Sequence, residues 1–370
     1  MADPSPAAIL TVDLGAIAAN YRLLRKRAGK AECAGVVKAD AYGLGAAAVA
    51  PALARAGCLS FFVAQLAEGA ALRPFLPKAA SIYVLNGLTE RDRGAFEAER
   101  LIPVLNDLGQ IERWSAFCRA RGKPLAAAVH VDTGMNRLGL PPGELDLLAQ
   151  EPHRLAGVGV ELVMSHLACA DEPDHPLNRR QLIGLRSAIR RLPPARASLA
   201  ASSGIFLARD FHFDLVRPGV ALYGGNPLPG APNPMAQPVQ LQGRILQVRI
   251  VDRGETVGYG ATHRFARPRR IATVGVGYAD GFLRSLSNRG CAVLGGAPAP
   301  IVGRVSMDLI TLDVSAAPET LARPGETVEL IGPNRTIDDV AEEAGTIAYE
   351  ILTSLGPRYA RRYVGAPGSE

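Results

Sequence analysis

The chain has 370 residues, 48% of them hydrophobic and 21% charged, with 41 basic against 35 acidic side chains and a net charge of +6. This length allows two domains, or one large barrel with an appendage, and this composition excludes a disordered or fibrous chain. The basic excess is carried by scattered arginines with no basic run interleaved with aromatics, which argues against a nucleic-acid binder and suits an anionic substrate or cofactor.

The N-terminal stretch "MADPSPAAILTVDLG" has no positively charged region followed by a long apolar run. No segment of the chain approaches the roughly 20 apolar residues of a membrane span, so a cytoplasmic protein without membrane contact is expected. From residue 15 to about 225, helix-like runs ("GAIAANYRLLRKRAG", "AAAVAPALARAG", "LGQIERWSAFCRARG", "NRRQLIGLRSAIRRL") alternate with short apolar runs. The apolar runs with strand character are "CAGVV", "SFFVA", "SIYVL", "LIPVL", "AAAVHVD", "GVGVELVMS", "ASLAAS" and "FDLV". Strands alternating with helices imply parallel pairing through right-handed crossovers, and eight such units predict a TIM-like (β/α)8 barrel. The competing doubly wound sheet lacks its G-x-G-x-x-G signature after the first strand.

"NPLPGAPNPMAQP" (226–238) reads as a linker. Beyond it the runs are short, β-branched and punctuated by Gly, Pro and Asp, as in "VQLQGRILQVRIVDRGETVGYG" and "CAVLGGAPAPIVGRVSMDLITLDVS", and a helix-like "IDDVAEEAGTIAYEILTSL" follows. The expected division is a barrel over 1–235 and a mostly β domain over 236–370, with about the first twelve residues packing on the second domain. The five cysteines, Cys33, Cys58, Cys118, Cys169 and Cys291, are widely spaced and form no C-x-x-C. Neither a disulfide framework nor a metal site is expected.

Active-site groups of such a barrel belong at the C-terminal ends of its strands. Lys38 and Tyr42 follow the first strand, Asp132, Met135 and Arg137 the fifth, His166 the sixth, Ser202 and Ser203 the seventh, and Arg217 and Gly219 the eighth. Only Lys26, Lys30, Lys38, Lys78 and Lys123 are lysines, and Lys38 alone follows an apolar run. It reads either as the ion-pair mate of a neighbour such as Asp40, or as an amine of lowered pKa ready to form a Schiff base. "SSG" (202–204) and "RPGVALYG" (217–224) read as an anion cradle built from a Ser203 hydroxyl and the Gly219 and Val220 N–H groups, or as a plain helix cap and turn.

"VVKADAYGLG", "VDTGMNRLG", "MSHLACAD", "LVRPGVALYG", "VGYGATH", "VGYADG", "VGRVSMD" and "AYEILTSLGPR" follow one another in the order found in alanine racemases. The chain resembles that family from "LTVDLGAIAANYR" to "RRYV". The resemblance implies a homodimer with active sites at its interface, pyridoxal 5'-phosphate as cofactor, and interconversion of L- and D-alanine by a two-base mechanism that supplies D-alanine for peptidoglycan. It makes Lys38 the cofactor-bearing lysine and one base, and Tyr259, given by the partner subunit, the other. Tyr42, Ser203, Gly219, Val220 and Tyr349 match the phosphate grip, Arg217 the contact to the pyridine nitrogen, and His166 the histidine beside it. Arg137 and Met307 match the surroundings of the substrate carboxylate, and Tyr278 a tyrosine at the entrance. A phenol in water ionises near ~10, so a base of that kind needs a positive environment, which Arg137 and the His166–Arg217 pair would supply.

Two positions depart from the pattern. Leu44 stands where many relatives have histidine, and His130 where many have a lysine, sometimes carbamylated, that orients the arginine matching Arg137. A broad-specificity or serine-preferring racemase, a decarboxylase of the same architecture, and a non-catalytic pyridoxal-phosphate-binding barrel are the rival readings. The match at Tyr259 and "VSMD" argues against a decarboxylase, and the presence of a second domain against a mere cofactor carrier.

Overall fold

A computed structural model describes residues 6–365 of the chain. Seven parallel strands run from Gly35–Val36 through Ser60–Val63, Ser81–Val84, Ile102–Leu105, Leu125–His130 and Val158–Met164 to Arg196–Ser198. The short strand Leu215–Val216 pairs in parallel with Glu32–Cys33. Ala34 N–H donates to Val216 O (2.9 Å), Val36 N–H to Pro218 O (3.0 Å) and Arg217 N–H to Ala200 O (2.9 Å), so the eighth strand closes the barrel between the seventh and the first. The eight apolar runs are these strands. Ser60–Val63 and Ile102–Leu105 are buried at every residue, as expected of parallel strands covered on both faces.

The crossover helices form where the sequence repeats its apolar residues at helical spacing. In Leu14–Ala28 the buried Leu14, Ile17, Tyr21, Leu24 and Ala28 face the barrel, the Asp13 carboxylate accepts the Ala16 N–H (2.9 Å), and Arg25, Lys26 and Arg27 lie in the last turn. Leu66–Leu72, Arg93–Ala98 and Pro142–Gln150 also form helices.

The second domain is built on the long strand Val239–Val251. It pairs antiparallel with Ala8–Asp13, Thr327–Ile331 and Arg269–Val274 in an eight-stranded sheet. Ala8–Asp13 therefore belongs to this sheet, where the last strand Ala360–Val364 joins it in parallel, Ile9 opposite Ala360. Residues 1–5 of the N-terminal stretch lie outside the described residues. The helix-like segment near the C-terminus is two helices, Ile337–Ala344 and Ala348–Ser354, divided at Gly345 (φ 71°). The linker is anchored through Asn20, which accepts the Ala236 N–H (2.8 Å) and donates to Ala236 O and Leu222 O. One continuous cluster of buried apolar side chains runs through both domains.

Candidate active site

The first strand ends in an unusual turn. Ala39, Asp40, Ala41 and Tyr42 all have positive φ, 52° to 56°. Each non-glycine residue held in this region costs ~1–2 kcal/mol, so the surroundings must hold the turn. Internally, Ala41 N–H donates to Val37 O, Gly43 N–H to Ala39 O and Gly45 N–H to Asp40 O (2.9, 2.7 and 2.8 Å), a single left-handed helical turn. The Asp40 carboxylate accepts the Ala46 N–H (2.7 Å) of the following helix and forms no ion pair with Lys38 among the described residues. From the last strand, Arg361 Nη1 donates to Gly43 O (2.5 Å) and Tyr363 to Leu44 O (3.1 Å). Leu44 is fully buried in the core, an environment that suits an aliphatic side chain better than an imidazole.

Lys38 starts this turn, half-buried, at a cavity of about 310 Å³ lined by Lys38, Tyr42, Ile347, Tyr349 and neighbours. Burial lowers its pKa, the nearby Arg137 adds to this, and Glu68 opposes it. Tyr42 is buried behind it, its ring 4.8 Å from that of Tyr223 and 5.8 Å from that of Tyr349. Burial raises the pKa of all three phenols, which therefore stay protonated and able to donate hydrogen bonds. A Cβ on Gly219 would lie 2.1 Å from the Tyr42 hydroxyl, so only glycine admits that approach. The Gly219 N–H donates to Ser202 Oγ (3.0 Å), as does the Ala221 N–H (3.3 Å), whereas the Val220 N–H has no protein acceptor among the described residues. Ser202 accepts both bonds and keeps its own hydroxyl hydrogen for another partner. Ser203 begins the short helix Ser203–Phe206 beside it.

Arg217 is buried across the barrel mouth. It donates to Ser165 O (2.6 Å), to Ser198 Oγ and, at 3.4 Å, to His166 Nδ1. Burial pushes its pKa down to about 9. Burial, Arg217 and Arg137 push His166 down to about 3 and His130 to about 4, so both imidazoles are neutral at neutral pH. The Asn106 amide donates to Leu85 O and Val104 O (both 3.0 Å), which fixes its oxygen as the acceptor for His130 Nδ1–H at 2.8 Å. His130 thus keeps a lone pair on Nε2. Asp132 accepts the N–H groups of Gly134, Met135 and Asn136 (2.9, 3.0 and 3.2 Å) and so shapes the loop that carries Arg137. Lys38, Arg137 and Arg217 make the mouth electropositive, as a phosphate and a carboxylate require.

The fold therefore gathers Lys38, Tyr42, His166, Ser203, Arg217, Gly219 and Val220 at one barrel rim and brings Tyr349 to it from the helix Ala348–Ser354. It does not bring Tyr259, Tyr278 or Met307 to the cavity at Lys38. These lie in the second domain, 73%, 42% and 55% exposed. Tyr259 sits on a turn with Gly258 and Gly260 at φ 73°, and the Tyr278 N–H donates to Ser306 O (3.0 Å) beside Met307.

Sequence reasoning did not single out some polar residues that support the site. Gln181, fully buried, donates to His166 O (2.7 Å) and accepts the Ala168 N–H (2.9 Å). Asn106 sets the tautomer of His130. The available signal was a polar residue on an otherwise apolar face, as with Gln181 beside Leu182 and Leu185.

The alanine racemase N-terminal domain model matches residues 12–227, and the alanine racemase C-terminal domain model matches residues 238–363. The chain is 56% identical to an alanine racemase of Rhodospirillum rubrum over 97% of this chain and 96% of that one. It is 52% identical to a catabolic alanine racemase of Agrobacterium fabrum over 96% and 92%. The crystal structure of alanine racemase from Bartonella henselae with covalently bound pyridoxal phosphate superposes with a TM-score of 0.94 at 42% identity, covering 97% of this chain and 100% of that one.

Proposed function

The chain belongs to the alanine racemase family and is a pyridoxal-phosphate-dependent racemase of alanine; we propose that Lys38 and, from a second copy of the chain, Tyr259 are its two proton carriers. The observation that supports this most is the half-buried Lys38 amine of lowered pKa, on a strained turn beside a cradle of hydroxyl and N–H donors. Strain of this kind persists where the surroundings over-determine it, commonly at functional sites.

The residues fit the cofactor. The close approach that Gly219 permits beside Tyr42, the free Val220 N–H and the Ser202 and Ser203 hydroxyls make a site for phosphate oxygens, with Tyr349 closing one side. When bound, pyridoxal phosphate supplies the electron sink that makes the substrate Cα–H acidic. Arg217 would stand against the ring nitrogen, where a guanidinium does not readily yield its proton, and so restrain side reactions. Arg137, with His130 neutral behind it, and the Met307 backbone of the second copy would hold the substrate carboxylate, and Tyr278 of that copy would line the entrance. Lys38 removes the Cα proton as a neutral amine or returns it as an ammonium on one face, and Tyr259 does so as phenolate or phenol on the other. Two carriers on opposite faces are the simplest route to inversion, since a single carrier tends to return its proton to the face it left.

This reading makes the working unit a homodimer. The exposure of Tyr259, Met307, Ile347 and Tyr349 supports it, since these large apolar and aromatic side chains are left available to a protein partner. D-alanine supply for peptidoglycan in the cytoplasm is the physiological role that goes with it.

Solvent-deuterium incorporation at Cα, followed with chiral separation of alanine and serine, tests the assignment. Deuterium is expected to enter alanine with loss of chirality. No exchange with any amino acid would sink the racemase reading, and faster exchange into serine would redirect it to the broader-specificity alternative.

A further inference from the structure

Glu68 lies on the helix Leu66–Leu72 that follows the second barrel strand, outside every motif used so far. Its carboxylate bridges two rim loops. Oε1 accepts the Ala39 N–H at 2.7 Å, and Oε2 accepts the N–H groups of Ala64 (2.7 Å) and Gln65 (3.0 Å). Ala39 is the residue after Lys38 and the first of the four with positive φ. Its N–H opens the left-handed turn and has no carbonyl partner within it, since the turn's own bonds begin at the Ala41 N–H. The carboxylate thus ties the strained turn to the first turn of the neighbouring crossover helix, and does so at the residue adjoining the reactive amine.

We propose that Glu68 is a positioning residue for Lys38, holding the left-handed turn in the register that presents the amine to the cavity and supplying a negative charge beside it. The inference rests on the reading of Lys38 as the cofactor-bearing lysine. A carboxylate is suited to this place because both oxygens must accept N–H groups. An amide of the same shape would set its NH2 against at least one of them, leaving donor facing donor. The charge has a second effect. Arg137 and His166 face Lys38 from the fifth and sixth strand loops, and Tyr42, Tyr349 and Glu350 line the cavity with it. Among the charges that bear on the Lys38 amine, Arg137 favours its neutral form and Glu68 its ammonium form.

The test uses the full chain freed of cofactor, with two variants. In Glu68→Gln, amide hydrogen exchange across residues 39–43 should speed up at least tenfold, with the distant helix Leu108–Arg121 as internal reference. The pH midpoint for reaction of Lys38 with added pyridoxal phosphate should fall. Glu68→Asp keeps the charge and loses the reach. It should leave that midpoint near the parent value while exchange across 39–43 still rises, and it decides the matter if the Gln variant does not fold. Parent-like exchange across 39–43 in either folded variant, or a parent-like midpoint in folded Glu68→Gln, overturns the proposal. Borohydride reduction with peptide mapping separates this from a failure of the underlying reading. If the pyridoxyl group is found on a lysine other than Lys38, that reading fails whatever Glu68 does.

Discussion

On the proposed reading, the barrel rim and the exposed face of the second domain serve the same chemistry in opposite ways. At the rim the buried functional groups are held by the chain that carries them. Arg217 is buried and bonded to Ser165 and Ser198, His166 is braced by Gln181, and the turn at Lys38 is tied at both ends. Tyr259, by contrast, projects 73% exposed from a glycine-flanked turn. Lys38, His166 and Arg217 are shifted from their ordinary pKa values by burial, the first two also by neighbouring charges, an environment the fold creates by itself. On that reading, one half of the site is completed by folding and the other waits for assembly.

The largest expected effect tests the folded half. Lys38→Ala should lower turnover by about 10⁴-fold or more, because covalent anchoring and one proton carrier go together. Substantial racemisation in that variant would end the assignment. The assembly half is tested by Tyr259→Phe, expected to cost about 10²–10⁴-fold. Mixing it with Lys38→Ala under subunit exchange should restore about a quarter of the parental sites, since a two-fold dimer with crossed contributions leaves one intact site in each mixed pair. No recovery on mixing would mean that the tyrosine serves its own chain. Gly219→Ala should lower cofactor affinity about 10–100-fold, by forcing a Cβ against the Tyr42 hydroxyl. Equilibrium titration of the cofactor-free chain measures this, and unchanged affinity would remove Gly219 from the cradle.

The smallest effect concerns the neutral histidines. His130 and His166 are held near 4 and 3, below the ordinary value for histidine of about 6.5. The unfolded chain therefore binds more protons than the folded one as the pH drops below about 6.5. The stabilisation from keeping the two rings neutral is complete above that pH and is lost as the pH falls toward 4, by roughly 3 kcal/mol per ring. Denaturant melts of His130→Gln against the parent between pH 7 and 4.5 should show a shallower loss in the variant. Parallel slopes would place the acid sensitivity elsewhere.

The barrel was legible because its strands are fully buried, so each appears as an apolar run between helical periods. Leu66–Leu72 and Arg93–Ala98 escaped that reading because they are too short to show a period. The left-handed turn had no signal at all. Ala39, Asp40, Ala41 and Tyr42 carry none of the glycine that usually marks positive φ, and the conformation is imposed by Glu68, Arg361 and Tyr363 from distant parts of the chain. For the same reason Leu44 had no account until its burial and its carbonyl's partner were seen. The positions of Lys38 and Arg217 followed from barrel geometry. Those of Tyr259 and Met307 came only with the family resemblance, since nothing local distinguishes a strand-end tyrosine from any other.

The clasp from Arg361 and Tyr363 has a consequence for how the chain is made. It joins residues 318 and 319 positions apart, so the ribosome synthesises nearly the whole protein between the reactive turn and the strand that secures it. Contacts of such separation repay their loop-closure entropy only at the end of folding. A nascent chain with a finished barrel therefore has its lysine turn held by Glu68 and by the turn's own bonds, and the second tie, from Arg361 and Tyr363, comes later in synthesis.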